Sequence, residues 1–130
     1  MKKYDLIVIG GGLSGVACAV SAKREGLSVL LIERSGCLGG AISQNLVYPF
    51  MKYWDYDSSN KNKTYLSAGI FTEMRKLAKT FEPDKESPSY DFNPDMNFNP
   101  EAFKRALDKM IVESGVDILF HSYFCGVTTD

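Results

Sequence analysis

The pattern of apolar residues near the start of the chain predicts a strand, a helix and a second strand. Residues 6–9 (LIVI) and 29–32 (VLLI) are short apolar runs, which is typical of strands buried on both faces. Residues 14–25 contain good helix formers, and Gly26 follows as a suitable helix end. The three elements form a βαβ unit, in which the crossover is right-handed.

A second helix and a third strand are predicted in the C-terminal part. Asn99 suits an N-cap, Pro100 suits the first helical position, and Gly115 ends the helix. Residues 116–120 predict a strand parallel to the first two, and residues 123–129 are expected to begin another. The helical spacing i, i+3, i+4, i+7 and i+8 is shared by five apolar residues, which are Phe103, Ala106, Leu107, Met110 and Ile111.

The segment between these two parts has a different character. Residues 44–99 hold eleven of the sixteen aromatic residues in the chain. The polar run 57–64 predicts an exposed tip, and residues 70–79 predict a helix. The aromatic residues of 48–56 could line a cofactor or substrate pocket, but packing within the segment is favoured. Any that stay exposed would promote self-association.

Composition excludes several classes of protein. The chain has 130 residues, 45% hydrophobic and 24% charged, which indicates at most one ordinary globular domain. The net charge of −1 gives no reason to expect a nucleic-acid partner, and no apolar run is long enough for a membrane span. Three widely spaced cysteines and one histidine provide neither a disulfide framework nor a metal site. A cytoplasmic protein without a metal is therefore expected.

A glycine-rich motif lies between the first strand and the first helix. The sequence GGGLSG fits G-x-G-x-x-G, and Glu33 ends the next strand eighteen residues beyond Gly15. In this context Gly10 allows the turn, Gly12 lets the backbone approach a pyrophosphate, and Gly15 allows close helix–strand packing. Glu33 would accept hydrogen bonds from the ribose hydroxyls and repel a 2′-phosphate, which disfavours NADP. The alternative is that the glycines form only a turn and Glu33 only ends a strand.

The predicted elements and the motif together favour an α/β fold. We expect a Rossmann-type, FAD- or NAD(P)-binding three-layer core made by residues 1–40 and 99–130. Its parallel sheet would have the strand order 3-2-1. Residues 41–98 would form a partly helical, cap-like excursion that interrupts this core.

Residues 4–50 resemble the family of FAD-dependent oxidoreductases related to fumarate reductase and glutathione reductase flavoproteins. Members have the pattern strand–GGGxxG–helix–strand–E(K/R)–xxxLGG, and here ER is followed by SGCLGG. The stretches AGIFTEMRKLA and FNPEAFKRALDKMIVESGVDILFHS are similar to that family as well. The resemblance implies FAD as the cofactor and an unidentified small-molecule substrate, with hydride transfer at the flavin.

The resemblance also implies roles for particular residues. Glu33 would hold the adenosine ribose, Arg34 would lie near the adenine edge, and Phe124 or Cys125 would meet the adenine through backbone atoms. The remaining implied contacts, to the pyrophosphate, the ribityl chain or the flavin, are Gly10, Gly11, Gly12, Leu13, Ser14, Gly15, Gly39, Gly40, Ala41 and Ser43. No residue is a convincing catalytic base.

Members of the family have two further segments, A-T-G and a distal Gly-Asp, and neither occurs before Asp130. The chain is therefore expected to be the N-terminal part of a larger enzyme, incomplete by itself. Two other hypotheses stay open: an NAD-binding module of a dehydrogenase, and a non-catalytic fragment that acts by association. Among weaker signals, Cys18 is expected in the core, Cys37 as an ordinary small residue and not a redox thiol, and His121 in a structural or surface role.

Overall fold

The computed structural model describes residues 2–56, 63–82 and 98–129. The elements in chain order are β1 (Leu6–Ile9), α1 (Leu13–Arg24), β2 (Val29–Ile32), α2 (Ala41–Gln44), β3 (Trp54–Tyr56), β4 (Lys63–Tyr65), α3 (Ile70–Lys79), α4 (Pro100–Ser114) and β5 (Asp117–Leu119).

The central sheet is parallel and has the order β1–β2–β5. Ile9 pairs with Ile32, and Ile32 pairs with Leu119, so the three strands end at the same edge. The predicted order 3-2-1 is confirmed. Residues 123–129, expected to begin another strand, form no strand, and Cys18 lies exposed on α1 and not in the core.

One face of the sheet carries the hydrophobic core. Val8 and Leu31 are buried against Val16 and Val20 of α1 and against residues of α4 such as Phe103. The opposite face is apolar as well, but Ile7, Ile9 and Leu119 are each about half exposed. In the described ranges the helices therefore form a layer on one face of the sheet. This is expected because the chain moves from β1 to β2 to β5 in one direction across the sheet, and right-handed crossovers then lie on the same face.

The excursion joins the same core. Met74 and Ala78 of α3 are buried in the cluster that contains Phe103. Arg24 of α1 holds Glu73 of α3 through two parallel hydrogen bonds of 2.9 and 2.6 Å. Both side chains are half exposed, so this ion pair contributes little to the stability of the fold. It links α1 to α3.

Aromatic residues of the excursion pack mainly on one another. The ring of Phe50 lies 5.2 Å from that of Phe71 and 5.5 Å from that of Phe103 in edge-to-face contacts. Tyr53 and Trp54 are also buried. Trp54 begins β3, which pairs with β4 in an antiparallel hairpin that the sequence pattern did not predict. Most of the predicted exposed tip, 57–64, lies outside the described residues.

The ends of α4 follow from its sequence. The Asn99 side chain accepts hydrogen bonds from the amides of Glu101 and Ala102, at 2.9 and 3.2 Å. Pro100 occupies the first turn, and Gly115 ends the helix with φ +75°. In the parts of the chain that the structure describes, no helix is long and apolar enough to cross a membrane.

Candidate functional site

The glycine-rich loop lies at the carboxyl end of β1 and leads directly into α1. Gly10 has φ +99°, and its amide donates to the carbonyl of Ile32 at 2.8 Å. A Cβ on Gly15 would lie 1.8 Å from the carbonyl oxygen of Gly10. Only glycine at this position lets the first turn of α1 pack so closely on the end of β1.

Gly12 is the N-cap of α1 and leaves that helix end open. Its backbone is extended, with φ −68° and ψ 176°, and no side chain caps the helix. A Cβ on Gly12 would have no atom within 4 Å apart from its chain neighbours, so the space beside it is free. The first amides of a helix lack intrahelical acceptors and carry the positive end of the helix dipole. An anion is therefore the favoured occupant of this space.

A second glycine pair lies beside this loop. The amide of Gly39 donates to the carbonyl of Gly11 at 2.8 Å, and Gly39 pairs with Gly12 in an isolated parallel bridge. Gly39 and Gly40 have φ values of +105° and +54°. A Cβ on Gly40 would lie 3.2 Å from the Cα of Gly12. The structure thus brings together two glycine loops that are distant in the sequence.

A buried hydroxyl borders the second glycine pair. Ser43 is 7% exposed, and its Oγ has no hydrogen-bond partner among the described residues. A Cβ on Gly39 would lie 2.1 Å from this Oγ, so the hydroxyl packs directly against Gly39. A buried hydroxyl without a partner costs stability, and a ligand oxygen nearby would satisfy it.

Glu33 lies beneath the glycine-rich loop as a buried carboxylate. The side chain is 4% exposed, and its Oε2 accepts a hydrogen bond of 2.6 Å from the amide of Gly11. Its Oε1 accepts from the amide and hydroxyl of Ser35, at 2.8 and 2.6 Å. A carboxylate has about four acceptor positions, so one is not used by these hydrogen bonds.

The charge of Glu33 is maintained despite its burial. Burial raises the pKa of the carboxyl group, but the hydrogen bonds from Ser35 and Gly11 and the nearby charge of Arg34 outweigh it. The pKa of Glu33 therefore lies below its ordinary value, and the group is ionised at neutral pH. Such a carboxylate can accept hydrogen bonds from sugar hydroxyls and repels a phosphate placed next to it.

Other residues proposed for the site are more peripheral. Leu13 is partly buried against the core. Ser14, Arg34 and Ala41 are exposed, and each is close to one of the glycine loops in the sequence. Phe124 and Cys125 are exposed in the coil beyond β5. The thiol of Cys125 lies near the backbone carbonyl of Tyr123. The predicted contact of Phe124 or Cys125 with the adenine stays a prediction.

Two residues that the sequence pattern did not single out support Glu33. Ser35 is the main donor to its carboxylate, and the Gln44 side-chain amide donates to the Ser35 hydroxyl at 2.7 Å. Ser35 also lies 3.0 Å from the carbonyl of Cys37. Serine is common in glycine-rich loops, so the residue type alone does not predict that Ser35 donates to Glu33.

Comparison with known proteins identifies the family. The sequence profile of the FAD dependent oxidoreductase family matches residues 5–130. The chain belongs to this family. FAD is accordingly the cofactor of this FAD dependent oxidoreductase domain.

The curated proteins to which the chain is similar include reductases of different kinds. A ferredoxin–NADP reductase from Mycoplasmoides gallisepticum is 36% identical over 87 residues, which is 57% of this chain and 26% of that protein. A glutathione reductase from Schizosaccharomyces pombe is 31% identical over 91 residues, 70% of this chain and 17% of that protein. The FAD dependent oxidoreductase chain thus spans about a quarter or less of these relatives.

A solved structure shares the fold. The THI4 structure from Thermovibrio ammonificans superposes with a TM-score of 0.51 over 90% of this chain and 38% of its own, at 15% identity. At this identity the match concerns the fold alone.

The residues present fit a dinucleotide such as FAD. The open N-terminus of α1 and the free space at Gly12 suit a pyrophosphate, and the unpartnered hydroxyl of Ser43 borders the adjoining glycine pair. The remaining acceptor position of Glu33 suits a ribose hydroxyl. These features match the chemistry of the cofactor without any change in the fold.

Proposed function

We propose that this chain is the N-terminal FAD-binding portion of a flavin-dependent oxidoreductase. It would bind the ADP half of FAD through the GGGLSG loop and Glu33. One observation carries the proposal: two glycine loops meet at the uncapped N-terminus of α1, next to a buried and ionised carboxylate. Family membership supports the cofactor and the class of chemistry.

The pyrophosphate would lie against the start of α1. The free space at Gly12 admits its oxygens, and the helix dipole and the first backbone amides attract their charge. Gly40 packs against Gly12 and extends the cradle, with the Ser43 hydroxyl as a further donor toward this cofactor. Leu13 and Ser14 would supply further backbone, and Ala41 would approach the ribityl side.

The adenosine ribose would lie against Glu33. The carboxylate has one acceptor position left, so one hydroxyl would bind to it directly, and a second would have to displace a donor of Ser35. The negative charge disfavours a 2′-phosphate. Arg34 near the adenine edge, and backbone contacts from Phe124 or Cys125, are the parts of this site that rest on the family resemblance.

The chemistry of the parent enzyme would come from the cofactor. Bound FAD supplies hydride transfer at its flavin ring. This chain would bind the adenosine end, orient the pyrophosphate and provide the negative charge that selects against NADP. We assign no catalytic residue, and the substrate is a small molecule of unidentified class.

The predicted domain division belongs to the same proposal. Residues 1–40 and 99–130 would form the FAD-binding core, and residues 41–98 the cap-like excursion. We also propose a cytoplasmic location, because the three cysteines are free thiols, as is usual in a reducing compartment.

FAD titration of the purified chain tests the proposal. We expect saturable binding, followed by flavin fluorescence and calorimetry, and no comparable binding of NAD. Glu33→Arg should weaken FAD binding by at least about ten-fold, the effect of losing one charged hydrogen bond. Glu25→Arg makes the same charge change at the opposite end of α1 and should alter affinity less than about two-fold.

Because Glu33 is buried, a second variant keeps the test informative. Glu33→Gln preserves side-chain shape, and circular dichroism establishes that each variant is folded. A folded Glu33→Gln or Glu33→Arg chain that binds FAD like the wild type would overturn the assigned role of Glu33. Tighter binding of NAD than of FAD would favour a dehydrogenase module, and self-association without any FAD binding would favour a non-catalytic fragment.

A further inference from the structure

The single histidine of the chain lies beside the loop that follows Glu33. His121 comes two residues after β5. Its amide donates to the carbonyl of Ser35 at 3.2 Å, and the amide of Ser122 donates to the carbonyl of Glu33 at 3.0 Å. Beyond the strand ends, two backbone hydrogen bonds therefore hold the segment after β5 against the loop after β2, and His121 lies at the same edge of the sheet as Glu33.

The imidazole ring of His121 lies directly on Gly36. A Cβ on Gly36 would lie 2.8 Å from Cε1 and 3.0 Å from Nε2 of the ring. The missing side chain of Gly36 therefore provides the space in which the ring packs. His121 as a whole is exposed, so the ring borders solvent where the loop opens.

The backbone of His121 has an uncommon conformation. Its φ of +52° lies in the left-handed region, which few residues other than glycine adopt. Such conformations persist where the surrounding structure holds them, and they are concentrated at ligand sites. Here the amides of His121 and Ser122 donate to the carbonyls of Ser35 and Glu33, which holds the backbone of His121 in place. The imidazole ring then packs on Gly36.

We propose that the imidazole of His121 contacts the adenine ring of the bound nucleotide. This inference rests on the proposed role of Glu33 in holding the ribose. The base is attached to the ribose carbon next to the 2′-hydroxyl, so it must lie within one ring width of that carboxylate. His121 lies next to the loop that follows Glu33, and a histidine ring can stack on a purine.

This position also argues against a role for His121 in flavin chemistry. The flavin lies at the opposite end of FAD from the adenine. A residue next to Glu33 is therefore at the adenosine end, too far along the cofactor to exchange a proton with the flavin or its substrate. His121 would be a specificity-determining residue for the base and not a catalytic residue.

Nuclear magnetic resonance provides a direct test because the chain has one histidine. The ring Cε1–H of His121 gives one resonance, which is followed together with the amide of Gly12. We expect ADP to shift both resonances along one saturation curve. Inorganic pyrophosphate, which has no base or sugar, should shift the amide of Gly12 and leave the ring resonance in place.

Two variants alter the ring in independent ways. His121→Asn removes the ring but keeps a residue that tolerates the left-handed backbone, and Gly36→Ala displaces the ring without changing it. Both should weaken ADP binding by about ten-fold, the usual range for loss of one stacked base. Both should bind pyrophosphate within about two-fold of the wild type, as should Cys18→Ser, the control on the exposed surface of α1.

The outcomes separate this inference from the function on which it rests. If ADP shifts the Gly12 amide but not the His121 ring, or if both variants bind ADP like the wild type, the proposed adenine contact is wrong and the nucleotide site remains. An equal ring shift with pyrophosphate would also overturn the contact. If ADP shifts neither resonance, the proposed function fails and this inference fails with it.

Discussion

At the residue scale, the glycines of the GGGLSG loop differ in what they permit. Gly15 packs against the backbone of Gly10, whereas Gly12 borders empty space. The packing role of Gly15 was assigned from spacing alone, and the geometry agrees with it because a strand–turn–helix unit leaves little freedom at that position. The role of Gly12 beside a pyrophosphate stays a prediction. The surroundings of Ser43 and Ser35 could not be predicted, since they depend on how a later loop folds back.

A pair of alanine variants tests this difference. Gly15→Ala should destabilise the fold by at least about 3 kcal/mol, because its Cβ would overlap the carbonyl of Gly10. Gly12→Ala should cost less than about 1 kcal/mol, since an alanine is a poorer N-cap but meets no atom there. Chemical denaturation measures both. Equal losses in the two variants would contradict the packing described for Gly15.

The carboxylate of Glu33 should make stability depend on pH. Its folded-state pKa is lowered, because the hydrogen bonds from Ser35 and Gly11 outweigh the opposing effect of burial. The ionised group therefore stabilises the fold fully above its unfolded-state pKa of about 4.3. This contribution is lost as the pH falls through the lower folded-state pKa.

Denaturation of the wild type and Glu33→Gln between about pH 3 and 7 measures this contribution. The stability advantage of the wild type should be constant near neutral pH and shrink in acid. Other carboxylates titrate equally in both proteins, so the difference isolates Glu33. An advantage that does not change with pH would show that the carboxylate is not held as described.

At the element scale, three helices and the central sheet were predictable, whereas α2, β3 and β4 were not. The bounds of α4 follow from Asn99, Pro100 and Gly115, each of which has a defined role at a helix end. The sequences of α2, β3 and β4 carry neither a helical period nor a continuous apolar run like those of β1 and β2. Residues 123–129, which were predicted to begin a strand, form none, and no strand of the described residues pairs with them.

The N-cap of α4 can be tested by itself. Asn99→Ala removes the acceptor for the amides of Glu101 and Ala102 and should cost about 1 kcal/mol. Asn99→Asp keeps an acceptor at the positive end of the helix and should stay within about 0.5 kcal/mol of the wild type. Thermal denaturation compares them. An Asn99→Ala chain as stable as the Asp variant would show that the cap is not needed.

At the scale of the whole molecule, the two predicted parts share one core. Phe103 is fully buried and contacts rings of the excursion as well as the core beneath the sheet. The continuous apolar runs of β1 and β2 led us to expect burial on both faces. In β2, Leu30 and Leu31 point to opposite faces and are both buried, whereas Ile7 and Ile9 of β1 are half exposed. An apolar run in the sequence does not show whether other elements pack against both faces of the strand.

Removal of the shared ring should destabilise both parts together. Phe103→Ala should cost about 3–5 kcal/mol, as is usual for loss of a buried phenylalanine. Trp54, the single tryptophan, reports on the excursion, and far-ultraviolet circular dichroism reports on all helices. The two signals should change in one transition in both proteins. Earlier loss of the Trp54 signal would indicate that the excursion unfolds independently.

Self-association through exposed aromatic residues stays a prediction. Several rings of the excursion that the structure describes pack on one another, and the more exposed aromatic side chains include Tyr123 and Phe124 beyond β5. Sedimentation of the wild type and of Tyr123→Ser/Phe124→Ser measures their effect. The double variant should associate less at high concentration, and unchanged association would assign the contact to another surface.

The central claim is that the meeting of two glycine loops at the start of α1 forms the phosphate cradle of an FAD site. Calorimetric titration of FAD into the wild type and into Gly12→Ala tests it most directly, because that variant should fold normally and fill the cradle. We predict saturable binding by the wild type and a loss of at least about ten-fold in the variant. Equal affinity of two folded proteins for FAD would contradict the claim.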